Sequence, residues 1–344
     1  MSSIASNATY QQQTILNLYN SGITTDIIAQ QLDTSQEEVN KIIESAKIEE
    51  ERKKISIKIL SDSASSPSSS LGSSFNLNKI VDVNSAINAA QSRVWRALKA
   101  KPEFNMSFEE TQNVLEEFAE SKLVLVVLHV DLVGSTRLTM TLPIDRIATI
   151  IQAFYQEMSV LITAYGGYVL KYIGDAILAF FLVSTDVSLS CANAVYCARS
   201  IIKVMQQGIN PIPSQYDYPE INVRIGIDVG ENTVIQCGWD VHTNNTTTYS
   251  ILRKEETKNS NDNNNKKEIL IKKHVYDVLG YTISITAKMT ALAKPDQIVI
   301  GELVYDALNK IDQKSIFQLL HVDHEIWDYV SDYTGDVYRL YGSI

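Results

Sequence analysis

Apolar residues along this chain follow two rhythms, and the change from one to the other divides it. Over residues 9–47 they recur at helical spacing: Ile15, Leu18, Ile27, Ile28, Leu32, Val39, Ile42 and Ile43. Asn20-Ser21-Gly22 breaks the first of these helices, and Thr34-Ser35-Gln36-Glu37-Glu38 offers a capping pattern for the last. After a Ser-rich stretch come two more amphipathic segments, 77–100 with Val94, Trp95 and Leu98, and 107–121 with Phe108, Val114, Leu115 and Phe118. From Leu123 the pattern changes to short, nearly continuous apolar runs alternating with helical ones, as buried strands and their connecting helices do. This predicts strand 123–131, helix 144–164, a hairpin of strands 167–173 and 176–183, helix 186–207 and strands 222–229 and 233–238. A polar excursion follows, then strand 268–275, helix 281–293, strand 297–300, a short helix 301–309 and strands near 316–322 and 336–342. The order β-α-β-β-α-β at its start is a split βαβ arrangement, so the fold class is α+β with an antiparallel sheet.

The domain plan is then a helix-turn-helix-like helical unit over 1–55, a Ser-rich linker over 56–76, a helical connector over 77–121 and a large α+β domain over 122–344. Composition predicts that the Asn- and Lys-rich stretch 254–267 is a disordered insertion between two strands.

Charge narrows the partners. The 344 residues carry a net charge of −10, with 45% apolar and 20% charged residues, as ordinary globular proteins do. Residues 1–60 hold six basic against eight acidic side chains, so the helical unit lacks the electrostatic footprint of a DNA reader. DNA binding by this unit is therefore ranked below a structural or protein-binding role. No run reaches the ~18 apolar residues expected of a membrane span, and no signal segment is visible at the N-terminus. Three cysteines, Cys191, Cys197 and Cys237, form no metal-ligand spacing, which points to a reduced, cytoplasmic setting.

Two aspartates carry the candidate chemistry. Asp131 closes the run Leu123–Val130 and leads into Leu132-Val133-Gly134-Ser135-Thr136; Asp175 closes Gly166-Gly167-Tyr168-Val169-Leu170-Lys171-Tyr172-Ile173-Gly174. Paired carboxylates at neighbouring strand ends suit Mg²⁺, a hard cation that takes oxygen ligands and keeps substrate phosphates in its shell. A pair of strand-end aspartates that only cap turns is the plainer alternative.

These pieces, with Arg224-Ile-Gly-Ile, Val275-Tyr-Asp277-Val-Leu-Gly280, Ala287-Lys-Met and Ala293-Lys-Pro-Asp-Gln-Ile298, occur in an order that resembles the class III nucleotidyl cyclases over about residues 122–340. The Gly-Gly-Asp-Glu-Phe signature of diguanylate cyclases, which share the core, is absent. The resemblance implies conversion of ATP or GTP to the cyclic monophosphate and pyrophosphate, with two Mg²⁺ or Mn²⁺ per site held by Asp131 and Asp175. It also implies that Lys171 and Asp277 read the base. A cation facing N1 and an anion accepting from the 6-amino group suit adenine, so ATP is expected, with a guanylyl cyclase as the alternative. Backbone N–H groups around Gly134, Ser135 and Thr136 would meet phosphate oxygens. The catalytic Asn and Arg of the family fall on Ser284 and Lys288, a departure that predicts a slow enzyme. No Lys stands in the C-terminal hairpin, where the family keeps one for the triphosphate. Sites in the family form between two domains, so one domain per chain implies a head-to-tail homodimer. The Ser284 and Lys288 departures also leave open a non-catalytic nucleotide-binding module, and the helical unit a nucleotide-gated regulator.

Overall fold

The computed structural model describes residues 12, 14–20, 23–47, 81–99, 108–184, 186–212, 220–243, 246–247, 271–331 and 335–344. The Ser-rich linker and the 254–267 insertion lie outside the described residues. The chain divides into two units, Met1–Ile59 with Tyr329–Val337, and Leu60–Asp328 with Tyr338–Ile344.

In the first unit, helices α1 (14–20), α2 (Thr25–Gln31) and α3 (36–47) enclose a small core of Ile15, Ile28, Ala29, Val39 and Ile43. The turn between α2 and α3 passes through Asp33 at φ 49°, a left-handed position that Asp tolerates better than most side chains. Ser35 Oγ then accepts from Glu38 N at 3.1 Å, the capping interaction that the Thr34–Glu38 pattern predicts.

The second unit is a mixed α+β body built on one sheet. Its elements are α4 (Val83–Lys99), α5 (Glu109–Glu117), β1 (Lys122–Val133), α6 (Ser135–Thr141), α7 (Ile144–Ala164), β2 (Tyr168–Ile173), β3 (Ala176–Leu182) and α8 (Val187–Val204). They continue with β4 (Asn222–Thr243), β5 (Thr246–Thr247), β6 (Ile271–Leu279), α9 (Tyr281–Leu292), β7 (Gln297–Gly301), α10 (Glu302–Ala307), α11 (Ile311–Lys314), β8 (Phe317–Leu319) and β9 (Leu340–Ser343). The strands run in the order β2-β3-β1-β4-β7-β9-β8, with β5 and β6 also on β4. All pairings are antiparallel except β4 with β7. The first four strands in that order are the split βαβ core.

Cross-strand partners share a face of the sheet. Val130 and Ile177 lie on the face backed by α7 and α8, whereas His129, Leu178 and Gly226 lie on the other, toward α9. Helix α4 packs outside α7 and α8, where Arg93 makes two 2.6 Å bonds to the Glu157 carboxylate. α7 has the length and apolar content of a membrane-spanning helix, yet Ile147, Ile150, Phe154, Met158 and Leu161 are buried within the unit.

Three of the elements that differ from the periodicity bear on the packing. Strands 222–229 and 233–238 are one strand, β4, because Gly230 and Gly226 make room for a helix rather than a turn. A methyl group on Gly226 would stand 2.5 Å from Thr286 O, and one on Gly230 2.5 Å from Thr282 Oγ1. Thr282, Thr286 and Thr290 are the buried stripe of α9 that these glycines admit. Residues 135–141, for which the periodicity predicts no element, form the short helix α6. The helix expected to reach 207 leaves α-geometry at Val204 and continues as a π-helical turn, Met205–Ile209.

Candidate active site

Asp131 ends the part of β1 that is paired with β3, beside Ala176, and Ala176 follows Asp175 in the β2–β3 turn. The hairpin thus brings the two aspartates to the same end of neighbouring strands. Gly174 turns with φ 63°, and the Tyr155 hydroxyl donates to its carbonyl, so α7 pins the turn that presents Asp175. Tyr155 stacks on Tyr172 with centroids 4.1 Å apart, and Ser159 Oγ lies 2.7 Å from the Tyr172 hydroxyl, which fixes that pin against β2.

Arg224 stands opposite Asp131 on β4. Its Nε donates to Asp131 Oδ2 at 3.1 Å, its Nη2 donates to the same oxygen, and Nη1 reaches Ala291 O at 3.4 Å. One Asp131 oxygen is therefore engaged by a guanidinium that also touches the end of α9. His129, two residues before, bonds Thr290 Oγ1 through Nδ1 at 3.1 Å. Burial pushes the His129 imidazole below its usual range, against an upward pull from the Asp131 and Asp175 carboxylates.

The donor chemistry fits a divalent cation held partly by substrate. Two carboxylates are hard oxygen ligands, and among the described residues no group of three or more His, Cys, Asp or Glu closes a full cage. Mg²⁺ and Mn²⁺ bind in this way, through one or two carboxylates completed by phosphates and water.

Lys171 and Asp277 meet. Lys171 Nζ donates to Asp277 Oδ2, while Asp277 Oδ1 accepts from its neighbour's N–H, Val278 N, at 2.8 Å. Their side chains are 39% and 30% exposed, so the pair is open to a ligand. β2 has a bulge between Val169 and Lys171, and bulges re-aim the side chain that follows. Beyond Thr233, β4 exchanges β1 for β6 as its partner, which carries β6 over the sheet face. There Tyr276 and Val278 pack with Leu170, Leu178 and Phe180, and Asp277 arrives beside Lys171.

The remaining candidates lie on α6, on α9 and toward the C-terminus. Gly134, at φ 75°, caps α6, so Ser135 and Thr136 occupy its first turn, where backbone N–H groups lack intrahelical partners. Ser284 and Lys288 are exposed and share one face of α9. Arg339 bonds the buried Glu302 at 3.3 Å, a packing role, and His321 and His324 are exposed.

Residues 119–255 match the family model described as "Adenylate and Guanylate cyclase catalytic domain". The matched segment belongs to a class III cyclase catalytic domain. Asp131, Lys171 and Asp175 lie inside the matched part of this cyclase domain; Asp277, Ser284 and Lys288 lie after it. A curated relative, a cytidylate cyclase from Escherichia coli, is 25% identical over 184 residues, which cover 51% of this chain and 40% of that protein. The chain thus spans about two fifths of the length of the curated relative it matches. Among solved structures, an adenylyl cyclase from P. aeruginosa aligns over 65% of this chain and 95% of its own, at 17% identity and TM-score 0.46. A guanylyl cyclase aligns over 65% and 93%, at 17% identity and TM-score 0.47.

Sequence reasoning found the two carboxylates and the Lys171–Asp277 pair through their motifs. It quoted Arg224 but missed its hold on Asp131, which depends on strand register. It also missed Tyr155, for which one tyrosine in a helix gives no signal.

Proposed function

We propose that the protein is an adenylyl cyclase, converting ATP to 3′,5′-cyclic AMP and pyrophosphate. The observation that carries this reading is the exposed ion pair of Lys171 and Asp277. It sets a donor and an acceptor side by side, as adenine N1 and the 6-amino group require. Guanine presents the reverse order, an N1–H donor beside the O6 acceptor, and would face a mismatched pair. A site built for one donor order rejects the other strongly, because its own polar groups are left unpaired.

Asp131 and Asp175 would hold the divalent cations, which when bound lower the pKa of the ribose 3′-hydroxyl and hold the triphosphate. Arg224 keeps the Asp131 carboxylate oriented toward that task. The first turn of α6, Gly134 to Thr136, offers N–H groups to phosphate oxygens. Ser284 and Lys288 supply a hydroxyl and a positive charge where the family has an amide and a guanidinium, so turnover is slow. Two copies complete each site, with the carboxylates of one chain facing the base pair and α9 of the other.

A second reading has a specific basis. Cytosine presents N3 as acceptor and its 4-amino group as donor, the same order as adenine, and the curated relative is named a cytidylate cyclase. Lys171 and Asp277 therefore support an amino-base substrate, ATP first and CTP second. Purified protein is incubated with each of the four ribonucleoside triphosphates in Mg²⁺ or Mn²⁺, beside Asp175→Ala. Cyclic AMP that disappears in the variant supports the proposal. Dominant cyclic CMP would move it to the second reading, and cyclic GMP would refute the base assignment.

A further inference from the structure

Helix α5 touches both strands that carry the base-reading pair. β6 is bonded to β4 on one side, with Ile235 opposite Asp277 and Gln236 opposite Tyr276. On its other side the Gln112 carboxamide treats Tyr276 as a neighbouring strand would: Nε2 donates to Tyr276 O at 3.0 Å, and Oε1 accepts from Tyr276 N at 2.8 Å. A carboxamide has one donor group and one acceptor in a plane, so it can stand in for a peptide unit and close an edge. The residue so held is the immediate neighbour of Asp277.

One position earlier, the buried Thr111 donates through Oγ1 to Val169 O at 3.0 Å. Val169 begins the bulge that sets Lys171. Thr111 and Gln112 are thus adjacent in sequence and grip the two strands separately, two residues before Lys171 and one before Asp277. Leu115, three residues on, is fully buried in the cluster that contains Leu170, Tyr276 and Val278. The helix therefore fills the gap between β2 and β6 and hydrogen-bonds across it.

From this arrangement we infer that Gln112 and Thr111 are positioning residues for base recognition, setting the separation of Lys171 and Asp277. The inference rests on the proposed reading of that pair. A rigid separation matters because both groups must meet one planar base edge, and small misplacements of binding groups carry large costs. Loss of the Gln112 bonds frees the β6 edge near Asp277 without touching any group that contacts nucleotide.

The test uses the full chain with Gln112→Leu, Gln112→Glu and Thr111→Val. For each, kcat and KM are measured with ATP, CTP and GTP, and binding of each triphosphate is measured by calorimetry. Gln112→Leu is expected to raise KM for the preferred nucleotide and to reduce its preference over GTP, each by about tenfold. The larger share of the loss falls in KM. Gln112→Glu keeps the acceptor for Tyr276 N–H and loses the donor, so it falls between wild type and Gln112→Leu. Thr111→Val shifts the same two quantities in the same direction. A helper of stability alone would lower Tm and the yield of active protein while leaving KM and preference as in wild type, and that result overturns the inference. Should Gln112→Leu fail to fold, the Gln112→Glu and Thr111→Val ratios decide in the same terms. A wild type that prefers CTP would change the substrate reading, yet the Gln112 effect on that preference would still stand or fall. A wild type that binds no nucleotide would remove both.

Discussion

Asp228 lies in the middle of β4 with no exposure, and only one of its oxygens has a hydrogen-bond partner. The Tyr338 hydroxyl donates to Oδ1 at 2.6 Å, whereas Oδ2 is buried without a partner. Burial is the main reason its carboxyl is pushed up to about 7; the bond from Tyr338 works against this, and the nearby Glu302 adds to it. The unfolded chain releases that proton near pH ~4. Between those values the folded form holds a proton that the unfolded form has lost. Stability from this group is therefore fully present at the acid end, is lost as pH rises through about 7, and is level above that. Thermal melts at about pH 5 and pH 8 should show the wild type losing Tm with rising pH, and Asp228→Asn losing clearly less. Parallel falls in the two proteins would remove Asp228 as the cause.

At the scale of elements, the decisive contact is α9 against β4. Gly226 admits the Thr286–Thr290 stripe so closely that an added methyl group would stand 2.4 Å from Thr290 Oγ1 and 2.5 Å from a backbone carbonyl. Backbone cannot rotate away as a side-chain tip can, so Gly226→Ala must lift the helix. A cost of roughly 1–3 kcal/mol is expected, read as a lower midpoint in urea. Because Ala291 O also holds Arg224, and Arg224 holds Asp131, activity should fall further than the folded fraction does. Equal losses in the two would mean that α9 does not steer Asp131. This contact also shows where legibility ended. Helix 144–164 was visible because it repeats one period of burial over many residues, and the β2–β3 hairpin because an almost wholly buried strand such as β3 reads as a continuous apolar run. Asp131, Asp175 and Lys171 were visible because their motifs are local. Gly230-Glu231-Asn232 looked like a turn, since only the packed helix reveals that Gly230 clears space for Thr282. Thr111 and Gln112 were silent for a related reason: they hold backbone groups dozens of residues away, and backbone carries no sequence signature.

The whole molecule raises the question of what completes the site. One chain presents the carboxylates on the β1 and β3 end and the base pair between β2 and β6, with Ser284 and Lys288 facing outward from α9. Lys171 lies on β2 and Asp175 in the turn that follows it, and Lys171 turns toward Asp277. Exposed apolar side chains flank both regions: Met140, Ile144 and Ile173 on one, Ile235, Leu279 and Tyr281 on the other. Two copies related by a twofold axis would bring the first region of each against the second region of its partner, giving two equivalent composite sites. Asp131→Ala and Asp277→Ala homodimers should then both be silent, each for want of one half of every site. Mixed after dissociation, half the dimers formed at random are heterodimers, and each of these holds one wholly intact site and one doubly damaged one. Activity should return to about a quarter of the wild-type rate per chain. It should also fall on dilution as the dimers separate. A mixture that stays silent while sedimentation shows heterodimers present would place all the catalytic groups of each site on a single chain.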